Sequence, residues 1–521
     1  MVPLIVILLA LFAFFFYKQF CKPLKHWTNP EVPHDSPLPV VGNILRTVLR
    51  VKSFNDILKE LYRKYSHNRY FGFYMFSCPS LVICDPDLVK QICIKDFSYF
   101  SDHRPFLQKS SDPTVSKLLF ARNGRDWHDH RRTLGSAYTQ SKMKQMFPML
   151  NECIRRLIHN LPRTKETISV NLHTLIMKFT NDLALNSSFG IECDSFNDSE
   201  NEYLRIAQKT FVQSKLKVFG FRLAALSSKI AQVIKIKLFN EEGEAFYRKI
   251  VNETLTYRRA NNITRIDMLH LLNEAQKGRL QYDKDDQEDK QDVGELVTGQ
   301  GYGEISDDDV AMELMGLFLA NFDMYGLLVC NSLYEIALHQ DVQEKLFREI
   351  DEMWQSCDGN LTYEDFKKMK YLDMVYNECL RFRSPLMALD RCVTKPYTIP
   401  PVLPHEKPLH LKPGQDITIP IYCFSRDEKF YENPNKFDPE RFSAEHKSSI
   451  DPHTFIPFGC GPRMCVAYRL VALQTKFIMF HLLLRFRLVP TEKTIIPFPE
   501  GKKHNILSSE QGYWVGLKSR D

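Results

Sequence analysis

"FGCGPRMCVA", residues 458–467, sets Cys465 behind glycines, a proline and an arginine, directly before the apolar run "VAYRLVALQTKFIMFHLLLRF". The run has the length and pattern of a buried helix, so Cys465 is expected to open it. Amides at a helix N-terminus favour a thiolate. Gly459 and Gly461 let the backbone ahead of it approach something flat or bulky. Three partners compete for such a thiolate. Zinc would need more ligands, and Cys460 with Cys465 lacks a second pair nearby. A nucleophilic cysteine would want a histidine, which sequence alone does not place. Haem iron takes a lone axial thiolate, and the neighbouring Arg463 suits a propionate.

Phe458-x-x-Gly461-x-Arg463-x-Cys465 resembles the haem-binding signature of the cytochrome P-450 family, with Ala467 where that signature usually ends in glycine. Further motifs follow in family order. "ECLR", Glu378 to Arg381, is similar to the family's E-x-x-R, which forms a buried structural triad with the arginine of "DPERF", Arg441. Taken alone, Glu378 and Arg381 share one helix face, and a surface pair would add only a few tenths of a kcal/mol. "WHDHR" matches W-x-x-x-R, so the resemblance puts Trp127 and Arg131 at the haem propionates. Arg391, ten residues past Arg381, matches another propionate arginine of the microsomal, drug-metabolising branch, which also contains thromboxane synthase. "HRPF" (103–106), "HQDVQEKLFREI" (339–350) and "NPNKFDPERF" (433–442) are similar to that branch too. The resemblance spans the whole body of the chain. It implies haem b with an axial thiolate from Cys465.

One helix departs from the family. Ser306 to about His339 reads as a single buried helix roughly 50 Å long, with Ser306 as N-cap and Asp307 to Asp309 at the positive end of its dipole. Over the haem the family has A-G-x-D/E-T-T; this chain has "ANFDMYG". Ala320 and Asp323 match, Asn321 replaces the glycine, and Met324 replaces the threonine whose hydroxyl helps deliver protons for oxygen activation. Methionine offers only a weak acceptor and no proton. Asp323 remains, as a proton-relaying acid or as a structural partner to a neighbouring helix. Tyr325 also carries a hydroxyl, about 100° further round the helix.

At 521 residues the chain can bury a very large core. Its net charge of +6 is mild for that size and makes no case for nucleic acid. Thirteen irregularly spaced cysteines form no disulfide framework and read as reduced thiols. Five N-x-S/T sequons, beginning at Asn186, Asn197, Asn252, Asn262 and Asn360, are expected to stay unused if the body never enters the secretory lumen.

"MVPLIVILLALFAFFFY" is uncharged and is followed by Lys18, Lys22 and Lys25. Seventeen apolar residues sit at the lower limit for a membrane span. A cleaved signal peptide would show a basic n-region and a small-x-small site, which are not evident; a buried N-terminal helix fits the unbroken hydrophobicity less well. The lysines place the body in the cytosol. Residues 1–28 are therefore expected to form a membrane anchor, 29–43 a stiff proline-rich hinge, and 44–521 the catalytic domain. The charged run 281–295 reads as a surface loop. Helical periodicity over 149–161, 342–353 and 374–382, with short strands at 69–85 and 416–422, gives a mainly helical α+β body, the cytochrome P-450 fold in the light of the resemblance.

Two enzyme functions and one silent one follow from the resemblance. A monooxygenase would insert one oxygen atom from O2 into a lipophilic xenobiotic, steroid or fatty-acid-like substrate. Its electrons would come from NADPH through a cytochrome reductase, with cytochrome b5 as a second donor, at the endoplasmic reticulum membrane. An acidic redox partner would dock beside the cysteine, with Arg131, Arg132, Lys142, Lys144 and Lys476 as candidate contacts. A lipid-peroxide isomerase or dehydratase would need no reductase and would tolerate Met324. A haem-binding protein without turnover is the third reading. Substrate choice is expected to lie near 103–120, 211–226 and 386–390.

Overall fold

The computed structural model describes residues 2–28, 32–104, 112–162, 164–198, 200–210, 237–279, 305–404, 406–498, 509 and 511–520. The charged run 281–295, the segment 211–226 and part of 103–120 lie outside the described residues.

Helices α1 (Val2–Phe16), α2 (Phe54–Tyr65), α3 (Gly124–Gly135), α4 (Gln140–His159), α5 (Leu172–Phe189), α6 (Glu202–Thr210), α7 (Glu241–Asn261) and α8 (Met268–Gln276) precede the central helix. Helices α9 (Asp307–Leu338), α10 (Gln340–Ser356), α11 (Lys370–Arg383) and α12 (Tyr468–Arg485) follow. Among the described residues, nine short strands lie between and after them. Strands β1 (Tyr70–Met75), β2 (Cys78–Ile83), β7 (Asp416–Ile419) and β4 (Leu389–Cys392) form a sheet in the order β1-β2-β7-β4. In it β2 and β7 run parallel and the other pairs antiparallel. Strands β3 (Ile168–Asn171), β9 (Trp514–Ser519) and β8 (Phe486–Val489) make a second sheet, and β5 (Tyr397–Ile399) pairs with β6 (Leu409–Leu411). The sequence-predicted strand 416–422 ends at Ile419, because Pro420 cannot donate to the ladder and 421–424 turn into a helical coil. The periodicity read from residue 149 belongs to a helix starting at Gln140, with Pro148 inside it.

Among the described residues two large apolar cores result, with a small third cluster of Leu328, Tyr376 and Leu380 packed against Phe458. The larger joins α3–α12; of the other two, the larger packs β1, β2, β7 and α2 around Phe71, Phe73, Val82 and Ile417. Helix α9 runs through the larger core. By length and composition it could cross a membrane, but most of it is buried inside the protein. Its start is as expected. Ser306 Oγ accepts from Asp309 N, and the Asp309 carboxylate accepts from Ser306 N, a complete capping box. Its middle is not: Asn321–Tyr325 form a π turn, so α9 is two α-helical segments joined by one wide turn. Such bulges shift the register of every side chain that follows and concentrate at functional sites.

The N-terminal helix lies outside both cores; residues 4–15 are exposed throughout. Burial begins at Leu24 and is complete at Trp27. Tyr74 Oη donates to Leu24 O at 2.9 Å and accepts from Trp27 N at 3.0 Å. The Trp27 indole covers Gly72, where a Cβ would lie 2.5 Å from the ring. The described part of the hinge, 32–43, is not an extended rod. Leu38 and Gly42 exchange both backbone hydrogen bonds, at 3.0 and 2.8 Å, and His34 and Gly42 bridge onto β1 at Gly72 and Met75. Gly42 needs φ = +61°, and a Cβ there would sit 2.2 Å from the Phe76 carbonyl. The prolines thus shape a tight turn that docks on the sheet.

Candidate functional site

The cysteine loop is folded by its own backbone. Cys465 N donates to Phe458 O and Met464 N to Gly461 O, each at 2.9 Å, across a 3₁₀ turn at Gly461–Arg463. Gly459 and Gly461 have φ of +82° and +69°, and a Cβ on Gly461 would lie 2.0 Å from Cys93 O. Glycine is required there both for its φ and for the close approach. The helix after the loop begins at Tyr468, so Cys465 stands three residues ahead of it rather than opening it. The Ala467 amide still points at its sulfur. Burial pushes the Cys465 thiol up, against the pull of that amide and of Arg131. The helix end alone therefore does not yield a thiolate; a coordinating metal would deprotonate it outright.

Around this loop lie three arginines. Arg463 Nε donates to Ser101 O at 2.7 Å and Nη2 to Arg122 O at 2.9 Å, while its guanidinium rests 3.9 Å over the Trp127 ring. Arg391 is 1% exposed and uses only Nη1, donating to Asp390 O at 2.7 Å. Arg131 is buried on α3. Burial and the adjacent Arg391 guanidinium pull Arg463 down to about 9. Arg463 Nη1 and Arg391 Nε and Nη2 are buried without a partner among the described residues. Orphaned buried donors on adjacent cations are costly and call for an anionic group between them. Two propionates would supply it. The donor set, the Cys465 thiol and the glycine-cleared loop fit haem. Among the described residues no three metal-ligating side chains cluster, and no histidine acts on the Cys465 thiol, so zinc and a Cys–His pair have no support there.

Behind the loop, Arg381 grips Glu378 through Nε at 2.6 Å and Nη2 at 2.7 Å, with both side chains fully buried. It also donates to Ser425 O, Pro434 O and Lys436 O. Arg441 Nε stands 3.8 Å from Glu378 Oε1. This is a structural tie with every Arg381 donor satisfied, not a surface pair. Tyr431 extends it toward the segment that precedes the cysteine loop: its ring faces Arg381 and its hydroxyl accepts from Thr454 at 3.3 Å.

On α9, Ala320 and Asp323 are exposed and Met324 half-buried in the middle of a helix otherwise packed inside the protein. Asp323 makes no side-chain hydrogen bond or ion pair among the described residues, so of its two readings the structural partner finds no support there. Although reachable, its carboxyl is ringed by protein, and desolvation pushes it up to about 6. Tyr325 is buried off this face, with its hydroxyl unpartnered. Sequence reading missed Glu313, on the same helix. It accepts from Leu119 N at 2.9 Å, and burial pushes it up to about 7. A lone acid in an apolar run was the available signal. The Ser101, Arg122 and Asn123 groups that hold Arg463 had none, being some 340 residues away in sequence.

The fold and these residues define a haem-thiolate oxidoreductase. The cytochrome P450 family model matches residues 31–516. Cytochrome P450 9e2 of Blattella germanica is 35% identical over 95% of this chain and 94% of its own length. Probable cytochrome P450 9f2 of Drosophila melanogaster is 34% identical over 99% of both, and cytochrome P450 6a2 of the same organism 30% over 99% of both. The chain belongs to the cytochrome P450 family, whose members bind haem b through a cysteine thiolate and act as monooxygenases.

Proposed function

We propose that this protein inserts one oxygen atom from O2 into a lipophilic small molecule, xenobiotic, steroid or fatty-acid-like, with electrons from NADPH through a membrane-bound reductase. Cys465 would hold the haem iron, with Arg391, Arg463 and Arg131 on the propionates, Trp127 beneath Arg463, and Phe458 beside the thiolate. The haem supplies redox chemistry and oxygen activation. The chain's own part is to shield the sulfur, neutralise the propionates and supply protons.

The observation that carries the reading is the unpartnered Asp323 carboxyl on the accessible face of α9. With its pKa near 6 it can hold and release a proton close to neutrality. Ala320 leaves room beside it, and Met324 lines the same face without donating. Helix α1 would anchor the body to the endoplasmic reticulum membrane. Of the basic docking candidates, Lys144 is paired with Glu364 and Lys476 with Asp373, while Arg131 is buried. Lys142, half-buried, remains as a candidate contact for an acidic partner or cytochrome b5.

The test is NADPH consumption by the purified full chain with reductase and a panel of lipophilic substrates, beside direct turnover of lipid hydroperoxides without reductase. Reductase-dependent oxygenated product supports the reading. Turnover of hydroperoxide alone would replace it with the isomerase that Met324 also suits.

A further inference from the structure

The turn ahead of Cys465 brings Cys460 against a second cysteine that the haem site does not use. Cys460 is extended, with φ −144° and ψ 160°, and leads into the 3₁₀ turn at Gly461–Arg463. That turn presses on the π turn Gln91–Lys95: a Cβ on Gly461 would lie 2.0 Å from Cys93 O and 3.4 Å from Ile94 Cγ1. Cys93 is fully buried in the core around Phe71 and Phe73, and Cys460, partly exposed, packs against the same core. The two thiols share a hydrogen bond, in which Cys460 donates.

That bond holds the Cys93 thiol below its usual range against the opposing effect of burial, and the Arg391 guanidinium pulls the same way. Cys460 is pushed up in turn, by donating to Cys93 and by burial. One proton thus lies between two sulfurs beside a cation, the setting in which a thiolate reacts. Another pair of cysteines supplies the contrast. Cys84 and Cys423 lie close enough to interact, but burial pushes both thiols up, Cys423 to about 12, so both stay protonated.

We propose that Cys93 and Cys460 form a reversible disulfide, a peroxide-oxidised modification site that ties the cysteine loop to the π turn before it in sequence. Hydrogen peroxide, which an oxygenase releases when electrons leak past its substrate, is the oxidant. Its O–O bond breaks on one sulfur, giving the sulfenic acid and water. The second thiol then attacks that sulfur, the S–S bond forms and a second water leaves. Two thiols and one peroxide become one disulfide and two waters. A hydrogen-bonded pair of thiols needs only a small approach to reach the covalent S–S distance of about 2.05 Å. The partial exposure of Cys460 gives peroxide a way in, and thiol–disulfide exchange reverses the bond in a reducing compartment. Cys465 takes no part in the step.

The test is peptide mass spectrometry on full-length holoprotein, treated with hydrogen peroxide at doses that leave the Soret band intact and then blocked with N-ethylmaleimide. Trypsin places Cys93 in "QICIK" (91–95), Cys460 in "SSIDPHTFIPFGCGPR" (448–463) and Cys465 in a separate peptide, "MCVAYR" (464–469). A disulfide-linked species of the first two should appear and vanish on treatment with dithiothreitol. It should exceed any Cys84–Cys423 link by about tenfold or more, because the thiolate and not the thiol is the nucleophile. Cys93→Ser should abolish it while leaving the carbon monoxide spectrum intact. Holoprotein in which peroxide yields no linked species, links Cys84 to Cys423 equally, or joins Cys460 to a cysteine other than Cys93 would overturn the proposal.

Discussion

The guanidinium of Arg463 lies 3.9 Å over the ring of Trp127, joining the cysteine loop to α3 across more than 300 residues of sequence. Both side chains are largely withdrawn from water, a setting in which a cation–π contact contributes about 2 kcal/mol. The same contact fixes the orientation in which Arg463 Nη1 is left free of protein partners. Trp127→Leu is therefore expected to lower the melting temperature and the haem-to-protein ratio together. Trp127→Phe should recover part of both. Unchanged haem content in Trp127→Leu would show that Arg463 is held by its carbonyl partners alone.

Glu378→Gln should be far more damaging. Removing one charge from a fully buried pair leaves Arg381 uncompensated, a loss of about 3–5 kcal/mol. Expression without the haem-thiolate spectrum is the expected result, read as holoprotein per total protein. A stable holoprotein would mean that the carbonyls of Ser425, Pro434 and Lys436 suffice for Arg381.

The division at residue 28 cuts through packed structure, since Trp27 and Leu24 belong to the core around Phe71 and Phe73. Deleting residues 2–21 should give a folded, haem-loaded body that is released more readily from membranes. Deleting 2–28 should cost about 3–5 kcal/mol for the tryptophan alone and lower the melting temperature sharply. Equal stability of the two truncations would remove Trp27 from the fold's support.

Asp323 has a pKa raised to about 6 by desolvation, so its proton-bearing form is lost as pH rises through that value. If that form feeds protons to oxygen chemistry, product per NADPH should fall across the same window. In Asp323→Asn the inflection should disappear and hydrogen peroxide should rise. Met324→Thr, restoring a hydroxyl on the same face, should raise product per NADPH. An inflection that survives in Asp323→Asn would assign it to another group, Glu313 being the next candidate with its pKa near 7.

What could be read from sequence was what is local. The cysteine loop, the Glu378–Arg381 spacing and the Ser306 cap each fit within a few residues, and each is present as expected. The π turn at Asn321–Tyr325 is not legible, because the same apolar run satisfies an uninterrupted helix; the turn packs against α5, a neighbour that periodicity does not register. The late start of α12 follows from the loop closing on Phe458 O, a bond that periodicity does not register. The burial of Trp27 depends on Gly72, 45 residues on, leaving room for an indole. Arg391, Arg463 and Arg131 are assigned to the propionates by family resemblance alone. The orphaned donors of Arg391 and Arg463 arise only where distant segments meet.

The central claim is that Cys465, and not its neighbour Cys460, holds the haem iron. The direct measurement is the difference spectrum of reduced protein under carbon monoxide for Cys465→Ser and Cys460→Ser. The account predicts that Cys465→Ser loses the red-shifted band that names the family while much of its helical content persists, and that Cys460→Ser keeps the band. A Cys465→Ser protein that retained the shifted band would contradict it.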